Sequence, residues 1–195
     1  MDAALADAAR RSGDWLVCRP GCTQCCVGVF PIMQSDAVRL RAALLALDDT
    51  DAASAQRIRT RVHESIIRIV DAFPGDATTG TLFAAESESA HEGMESAFED
   101  YANDEPCPVL DPETGTCDLY AARPLPCRTF GPPVRNDEDG LAVCELCFHG
   151  ATNQDIAACE MSVDTGALED QLEQQAEQTT GHSGPTLIAF ALRDV

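Results

Sequence analysis

Residues 18–32 of the chain read CRPGCTQCCVGVFPI. Four of these residues are cysteines: Cys18, Cys22, Cys25 and Cys26. Pro20, Gly21 and Gly28 interrupt any helical or strand pattern, so the stretch is predicted to form a loop. A loop with this many thiols serves disulfide formation, metal ligation or redox chemistry.

A second cysteine-rich block follows at residues 107–149 and adds five thiols: Cys107, Cys117, Cys127, Cys144 and Cys147. Zinc sites and iron–sulfur clusters take four cysteine ligands, and short spacings place two or three of them on one loop. The other ligands then come from a distant part of the chain. The two blocks are therefore predicted to meet around metal, so that metal binding contributes to folding.

The expected redox compartment favours metal over disulfides. The first residues, MDAALADAARRSGDW, lack the apolar run of a secretory signal, and the chain contains no apolar stretch long enough to span a membrane. The protein is accordingly predicted to be cytoplasmic, where thiols are kept reduced. A strained vicinal disulfide between Cys25 and Cys26 is expected there only in redox catalysis.

The charge of the chain excludes several kinds of partner. It has 33 acidic and 13 basic residues and a formal net charge of −20. Such a surface repels phosphate backbones and anionic lipids, so neither nucleic acid nor a membrane is expected as a partner. All the basic residues are arginines, which excludes Schiff-base and P-loop lysines. Solubility is the simplest reason for the acidity.

Apolar periodicity predicts helices in the first part of the chain. Residues 2–11 suit a short helix, and residues 34–49 suit a second one with Ser35 as its N-cap. A third helix is predicted at about residues 53–72, before the sequence FPG. The apolar faces consist of Leu40, Leu44, Leu47, Ile58, Val62, Ile66, Ile69 and Val70. The short polar segment DDTD between these two helices predicts a helical hairpin.

The remaining segments complete a mainly α, single-domain fold over residues 1–195. Residues 76–106 are acidic and are predicted to form an exposed connector. A polar-faced helix is predicted at 165–181, within a helical extension at about 160–195, and the apolar segment PTLIAFALRDV is left unassigned. The expected architecture is a set of amphipathic helices around a loop-rich metal core, with little sheet.

Several residues near the thiols have two readings. Cys144 and Cys147 are as readily a chance pair as a ligand pair, and His149 is more simply a surface residue than a ligand. Cys159 is expected to be a buried structural thiol.

Four further residues lie close to Cys127 in the sequence. Arg123 and Arg128 either offset thiolate charge or pair with carboxylates. Tyr120 and Phe130 are expected to shield the site from water.

Two segments resemble a known family of bacterial proteins. CRPGCTQCCVGVFPI, followed by SDAVRL, and CPVLDPETGTCDLYAARPLPCRTFG are similar to the zinc- or iron-chelating CxxCxxCC family, also called the YkgJ-like cysteine-cluster family. The resemblance covers about residues 15–150. It implies metal binding by eight cysteines, which suit two four-cysteine sites or one cluster with spare ligands: Cys18, Cys22, Cys25, Cys26, Cys107, Cys117, Cys127 and Cys144. Cys147 departs from the family pattern, in which a polar residue is expected.

Two functions of different class follow from these observations. The first is a zinc-binding module with a structural, storage or docking purpose. The second is an iron–sulfur oxidoreductase or protein-modifying enzyme, since the flagellin lysine N-methylases contain a similar cluster. No catalytic residue is assigned, because GxSxG, GxGxxG and HExxH are absent and the four histidines, His63, His91, His149 and His182, are scattered. Substrate and protein partner are left open.

Overall fold

A computed structural model describes residues 2–82, 98, 100–136, 140–161 and 166–195. The mainly α fold is confirmed, because helices dominate these residues. They are α1 (Asp2–Ser12), α2 (Gln34–Ile69), α3 (Leu125–Thr129), α4 (Asn153–Ala158), α5 (Gly166–Thr180) and α6 (Ile188–Ala191). In this part of the chain, no helix is both long and apolar enough to cross a lipid bilayer.

The strands of the described residues form three small antiparallel hairpins. The first pairs β1 (Gly75–Asp76) with β2 (Thr81–Leu82), and the second pairs β3 (Leu110–Asp111) with β4 (Thr116–Cys117). The third pairs β5 (Val134–Asn136) with β6 (Gly140–Ala142). Residues 18–32 form a loop with one short 3₁₀ turn at Gln24–Cys26, as the sequence predicts.

Helix α2 is broken at the predicted turn. Asp51 has non-helical angles, with φ −152° and ψ 76°, and its carboxylate caps the second half by accepting a hydrogen bond from the Ser54 N–H at 3.0 Å. The Asp48 carboxylate lies 2.8 Å from the Arg59 guanidinium. A straight helix would separate residues 11 positions apart by about 16 Å, so the chain bends back at Asp51.

The two halves of α2 share the hydrophobic core with the C-terminal segment. Leu40, Leu44 and Ile58 are fully buried in one cluster with Ile188 and Leu192. A second cluster lies beyond it, where the Phe73 and Phe190 rings are 4.2 Å apart. The segment PTLIAFALRDV, which the sequence left unassigned, therefore contains the buried helix α6, and this helix packs in the core. Its arginine neighbours Arg41 and Arg59 donate hydrogen bonds to backbone oxygens of Ala191 and Val195.

The N-terminus of α2 is capped from a distant helix. Met33 occupies the N-cap position, so the prediction that Ser35 is the N-cap is wrong. The Glu173 carboxylate of α5 accepts hydrogen bonds from the N–H groups of Gln34 and Ser35, each at 2.9 Å. A carboxylate in this place satisfies free backbone donors and favours the positive end of the helix dipole.

The acidic segment is packed at both ends. Residues 76–82 belong to the first hairpin, and Tyr101 is buried, with its hydroxyl donating to the Ile69 carbonyl at 2.8 Å. Glu105 is also buried and forms two hydrogen bonds with the Arg68 guanidinium, at 2.8 and 2.9 Å. An exposed connector is therefore wrong for these ends. The part of the prediction that covers 83–97 and 99 lies outside the described residues.

Asp36 connects α2 to the helix that carries Cys127. Its carboxylate is 5 % exposed and accepts the Leu125 N–H, the first of α3, at 3.0 and 3.1 Å. We expect Asp36→Ala to lower the free energy of unfolding of the metal-free chain by about 1–2 kcal/mol, because the first N–H of α3 loses its acceptor. Urea unfolding measures this change. The exposed Asp49→Ala is the control and should stay within about 0.5 kcal/mol of the wild type; equal effects in both variants would contradict the capping role.

Candidate metal centre

The two cysteine-rich blocks meet through backbone pairing. The Cys107 N–H donates to the Cys26 carbonyl at 2.8 Å, and the Gly28 N–H donates to the Glu105 carbonyl at 2.9 Å. Residues 26–28 and 105–107 thus run side by side, with an isolated bridge between Val27 and Pro106. This contact confirms the prediction that the blocks come together.

Cys107, Cys117 and Cys127 form what we call the second thiol group. Pairing of Leu110 with Cys117 in the β3–β4 hairpin returns the chain to Cys107. Cys107 and Cys117 both pack against the first core cluster. The Leu110 N–H donates to the Cys107 carbonyl at 2.9 Å. Burial raises the pKa of Cys107, and the charges of Cys127 and Cys117 raise it further, whereas the backbone at Val109 and Leu110 lowers it. Backbone donors of this kind stabilise a thiolate.

Cys18, Cys22, Cys144 and Cys147 form the first thiol group. They line one cavity of about 20 Å³, together with Cys25. This volume has room for one atom of the size of a water oxygen, not for an organic substrate. Burial raises the pKa of Cys147. Backbone hydrogen bonds from Val17 and Cys18 act in the opposite direction and lower it. The Cys147 thiol is also hydrogen-bonded to that of Cys144.

Cys25 lies beside both groups. Its side chain lines the cavity of the first thiol group. It also raises the pKa of Cys18 in the first group and of Cys117 and Cys127 in the second. A hydrogen bond to the Cys26 thiol, followed by burial, raises the pKa of Cys25 itself. The adjacent cysteines of the first loop are therefore placed at the junction of the two groups.

All ten cysteines are free thiols, so the structure contains neither a vicinal disulfide nor any other. Among the residues that the structure describes, no three Cys, His, Asp or Glu side chains converge closely enough to hold a metal ion as they stand. The donor set itself fits zinc or iron, because both metals accept four thiolate ligands.

The metal-free chain should lose stability in alkali. Burial raises the pKa of Cys107 and of Cys127 from 9.0 to about 12. Between these values the folded chain keeps protons that the unfolded chain releases, so the free energy of unfolding falls as the pH rises. Urea unfolding of the reduced, metal-free chain at about pH 8 and about pH 10.5 measures this decrease. A Cys107→Ala/Cys127→Ala variant should show a smaller decrease, and an unchanged or increased wild-type stability at the higher pH would contradict the prediction.

Arg123 and Arg128 have different roles. Arg123 lowers the pKa of Cys18, Cys25, Cys117 and Cys127, so its positive charge acts on both thiol groups. Its guanidinium carbon lies 4.1 Å from the centre of the Tyr120 ring, and its Nε is buried without a hydrogen-bond partner among the described residues. Arg128 instead pairs with Asp2 and donates to the carbonyls of Ala121 and Arg123. The charge-offsetting role thus fits Arg123, and the carboxylate-pairing role fits Arg128.

The other residues near the site divide in the same way. Phe130 lines the cavity of the first thiol group, as expected of a shielding residue, but it is itself 46 % exposed. Tyr120 is 61 % exposed and stacks on Arg123, so its shielding role is wrong. His149 is exposed, and Cys159 is buried in an apolar cluster with Cys147 and Phe148, as the sequence predicts for a surface histidine and a structural thiol.

A groove of about 400 Å³ adjoins the thiol cavity. Cys25, Cys144, Gln24 and Phe130 line both spaces. Val27, Val29 and Phe30 give the groove an apolar wall, and Glu145, hydrogen-bonded to Gln24 at 2.8 Å, gives it an acidic rim. Its volume is in the range of small-ligand sites.

Three contributors to the site are not evident from the sequence alone. Cys147 was set apart from the ligand set, although its C-x2-C spacing to Cys144 is a recognised ligand signal. Asp36 and Gly131 carry no such signal, because their roles depend on distant contacts. Gly131 lies against the first thiol group, where a Cβ would be 3.5 Å from the Cys18 Cβ and 3.8 Å from its sulfur.

Residues 17–148 match the family model described as "CxxCxxCC: Putative zinc- or iron-chelating domain". This range contains both thiol groups, the Cys25–Cys26 pair and Arg123. Neither the curated proteins nor the solved structures gave a match.

Proposed function

Because the chain belongs to the CxxCxxCC family of zinc- or iron-chelating domains, we propose that it binds two metal ions through thiolates, one in each thiol group. The observation that carries this proposal is the separation of the cysteines into two groups: the first is built from distant segments of the chain, and the second lies beside Cys26 through the Cys107 N–H. Cys18, Cys22, Cys144 and Cys147 supply four ligands to one ion. Cys107, Cys117 and Cys127, with a fourth thiolate from the Cys25–Cys26 pair, supply the other. Cys147 thereby joins the eight cysteines that the resemblance implies.

The small size of the cavity supports a single ion in the first thiol group. The space between these thiols measures about 20 Å³, which is room for one water-sized atom. Zinc, or a single iron ion, fits this space. Either ion also offsets the thiolate charge in a chain that already carries a net charge of −20. Reduced thiols are required, which agrees with the predicted cytoplasmic location.

Metal analysis of anaerobically purified protein tests this proposal. We expect two zinc ions per chain and a colourless solution. A brown solution with iron and acid-labile sulfide would overturn the zinc assignment and favour an iron–sulfur centre. A chain without metal, whose cysteines are found oxidised in pairs by thiol titration, would overturn metal binding itself. Holding the purification buffer free of chelators keeps the first and third outcomes distinct.

The groove next to the thiols favours a second candidate function, that of an iron–sulfur oxidoreductase or protein-modifying enzyme. A ligand in this groove would lie against Cys25 and Cys144, which also line the thiol cavity. An enzyme needs such a space for a substrate, whereas a structural zinc module does not. The visible spectrum described above separates the two candidates, because thiolate-bound zinc is colourless and iron–sulfur clusters absorb visible light.

A further inference from the structure

The first loop carries ligands for both proposed sites within a short stretch of chain. Cys18 and Cys22 belong to the first thiol group, and Cys25 follows three residues after Cys22. Residues 24–26 form a single 3₁₀ turn, in which the Cys26 N–H donates to the Thr23 carbonyl at 2.8 Å. This turn therefore fixes the position of Cys25 relative to Cys22. Any ion that orders one end of the loop orders the other end as well.

The other end of this turn is attached to the second thiol group. The Cys26 carbonyl accepts the N–H of Cys107, a member of that group, at 2.8 Å. The tip of the β3–β4 hairpin also packs on the loop, since a Cβ on Gly115 would be 3.5 Å from the Gly21 Cα and from the Thr23 methyl group. The hairpin that carries Cys117 and the loop that carries Cys22 thus hold each other in place.

From these contacts, and resting on the proposed function, we infer that Cys25 completes the second thiol group and couples it to the first, so that the two metal ions bind cooperatively. The ion in the second group fixes Cys25 and with it the loop that presents Cys18 and Cys22. The first ion to bind then bears the loss of conformational entropy that ordering this loop requires. The second ion binds to a loop that is already ordered, so it does not bear this loss.

Native mass spectrometry of the reduced chain with one equivalent of Zn²⁺ tests the coupling. Two independent and equal sites leave about half of the chains with one ion, whereas a coupling of about ten-fold leaves about a quarter. We expect the wild type to contain mainly chains with no ion and chains with two. A wild type in which the one-ion form is the main species would overturn the inference.

A variant of Cys25 and a matched control identify the coupling residue. In Cys25→Ser the one-ion form should become the main species, whereas Cys159→Ser, which removes a thiol outside both groups, should keep the wild-type distribution. An unchanged, wild-type distribution in Cys25→Ser would overturn the role of Cys25. Failure of the wild type to bind zinc in excess would instead overturn the proposed function. If either variant fails to fold by circular dichroism, the wild-type distribution still decides whether coupling exists.

Discussion

Cys127→Ser should retain one metal ion at saturating zinc, and so should Cys22→Ser, because each variant loses a ligand of a different thiol group. The retained ion differs between them, so the double variant should retain neither. Thiolate-bound zinc contributes about 10 kcal/mol or more to the folding of small zinc domains, so the free energy of unfolding should fall by about 3–5 kcal/mol or more in each single variant. Elemental analysis and urea unfolding of the same samples measure both effects.

Cys159→Ser provides the matched control for these variants. Cys159 is as buried as Cys147 but lies outside both thiol groups, in contact with apolar side chains. Its replacement should cost about 1–3 kcal/mol, because it buries a hydroxyl without a defined partner, and the chain should still bind two ions. Two ions in both Cys22→Ser and Cys127→Ser would contradict the assignment of ligands to two groups.

Gly131→Ala should disable the first thiol group without touching a ligand. Gly131 has φ +113°, a conformation that alanine adopts only with strain, and the added Cβ would lie 3.2 Å from the Leu16 Cδ1. Relief of this contact displaces Leu16 or Cys18. We expect a loss of about 2–4 kcal/mol in the free energy of unfolding and a decrease from two bound ions to one.

Gly150→Ala is the control that separates the strain of alanine at a positive φ from the steric contact of the new Cβ with Leu16. Gly150 has φ +81°, and a Cβ there would meet nothing within 4 Å. The variant should lose about 1 kcal/mol and keep both ions, because only the conformational cost remains. A Gly131→Ala chain that keeps two ions with unchanged affinity would show that the wall behind Cys18 has no part in the first thiol group.

The helical frame could be predicted from the sequence because it depends on local patterns. The apolar positions of α2, its break at the DDTD segment and the helix α5 all follow from spacing and turn residues within a few positions. Caps could not be predicted in this way. The Ser35 prediction was wrong because Glu173, far along the chain, supplies a stronger acceptor than a local hydroxyl.

The sequence predicts that cysteines make up the site, but it does not predict how they divide between the two thiol groups. Cysteine spacing predicts thiolate ligands, and the two blocks lie side by side as expected. The group to which each cysteine belongs depends on loop and hairpin contacts between residues about 80 to 130 positions apart. Contacts over such distances leave no periodic pattern in the sequence. The roles of Arg123 and Arg128 could not be predicted for the same reason. These residues are only five positions apart, and yet Arg123 lowers the pKa of Cys127 whereas Arg128 forms an ion pair with Asp2.

The uneven exposure of the thiols has a kinetic consequence. Cys18 is the one exposed cysteine of the ten, whereas Cys147, in the same group, is buried. An incoming ligand, whether a chelator or the thiol of an acceptor protein, therefore meets Cys18 before any other sulfur. Ion transfer would begin with the replacement of this single bond, while the buried thiols still hold the metal. If the first thiol group holds a metal ion, the exposed position of Cys18 would give that ion a directed route of release, whereas no cysteine of the second thiol group is equally exposed.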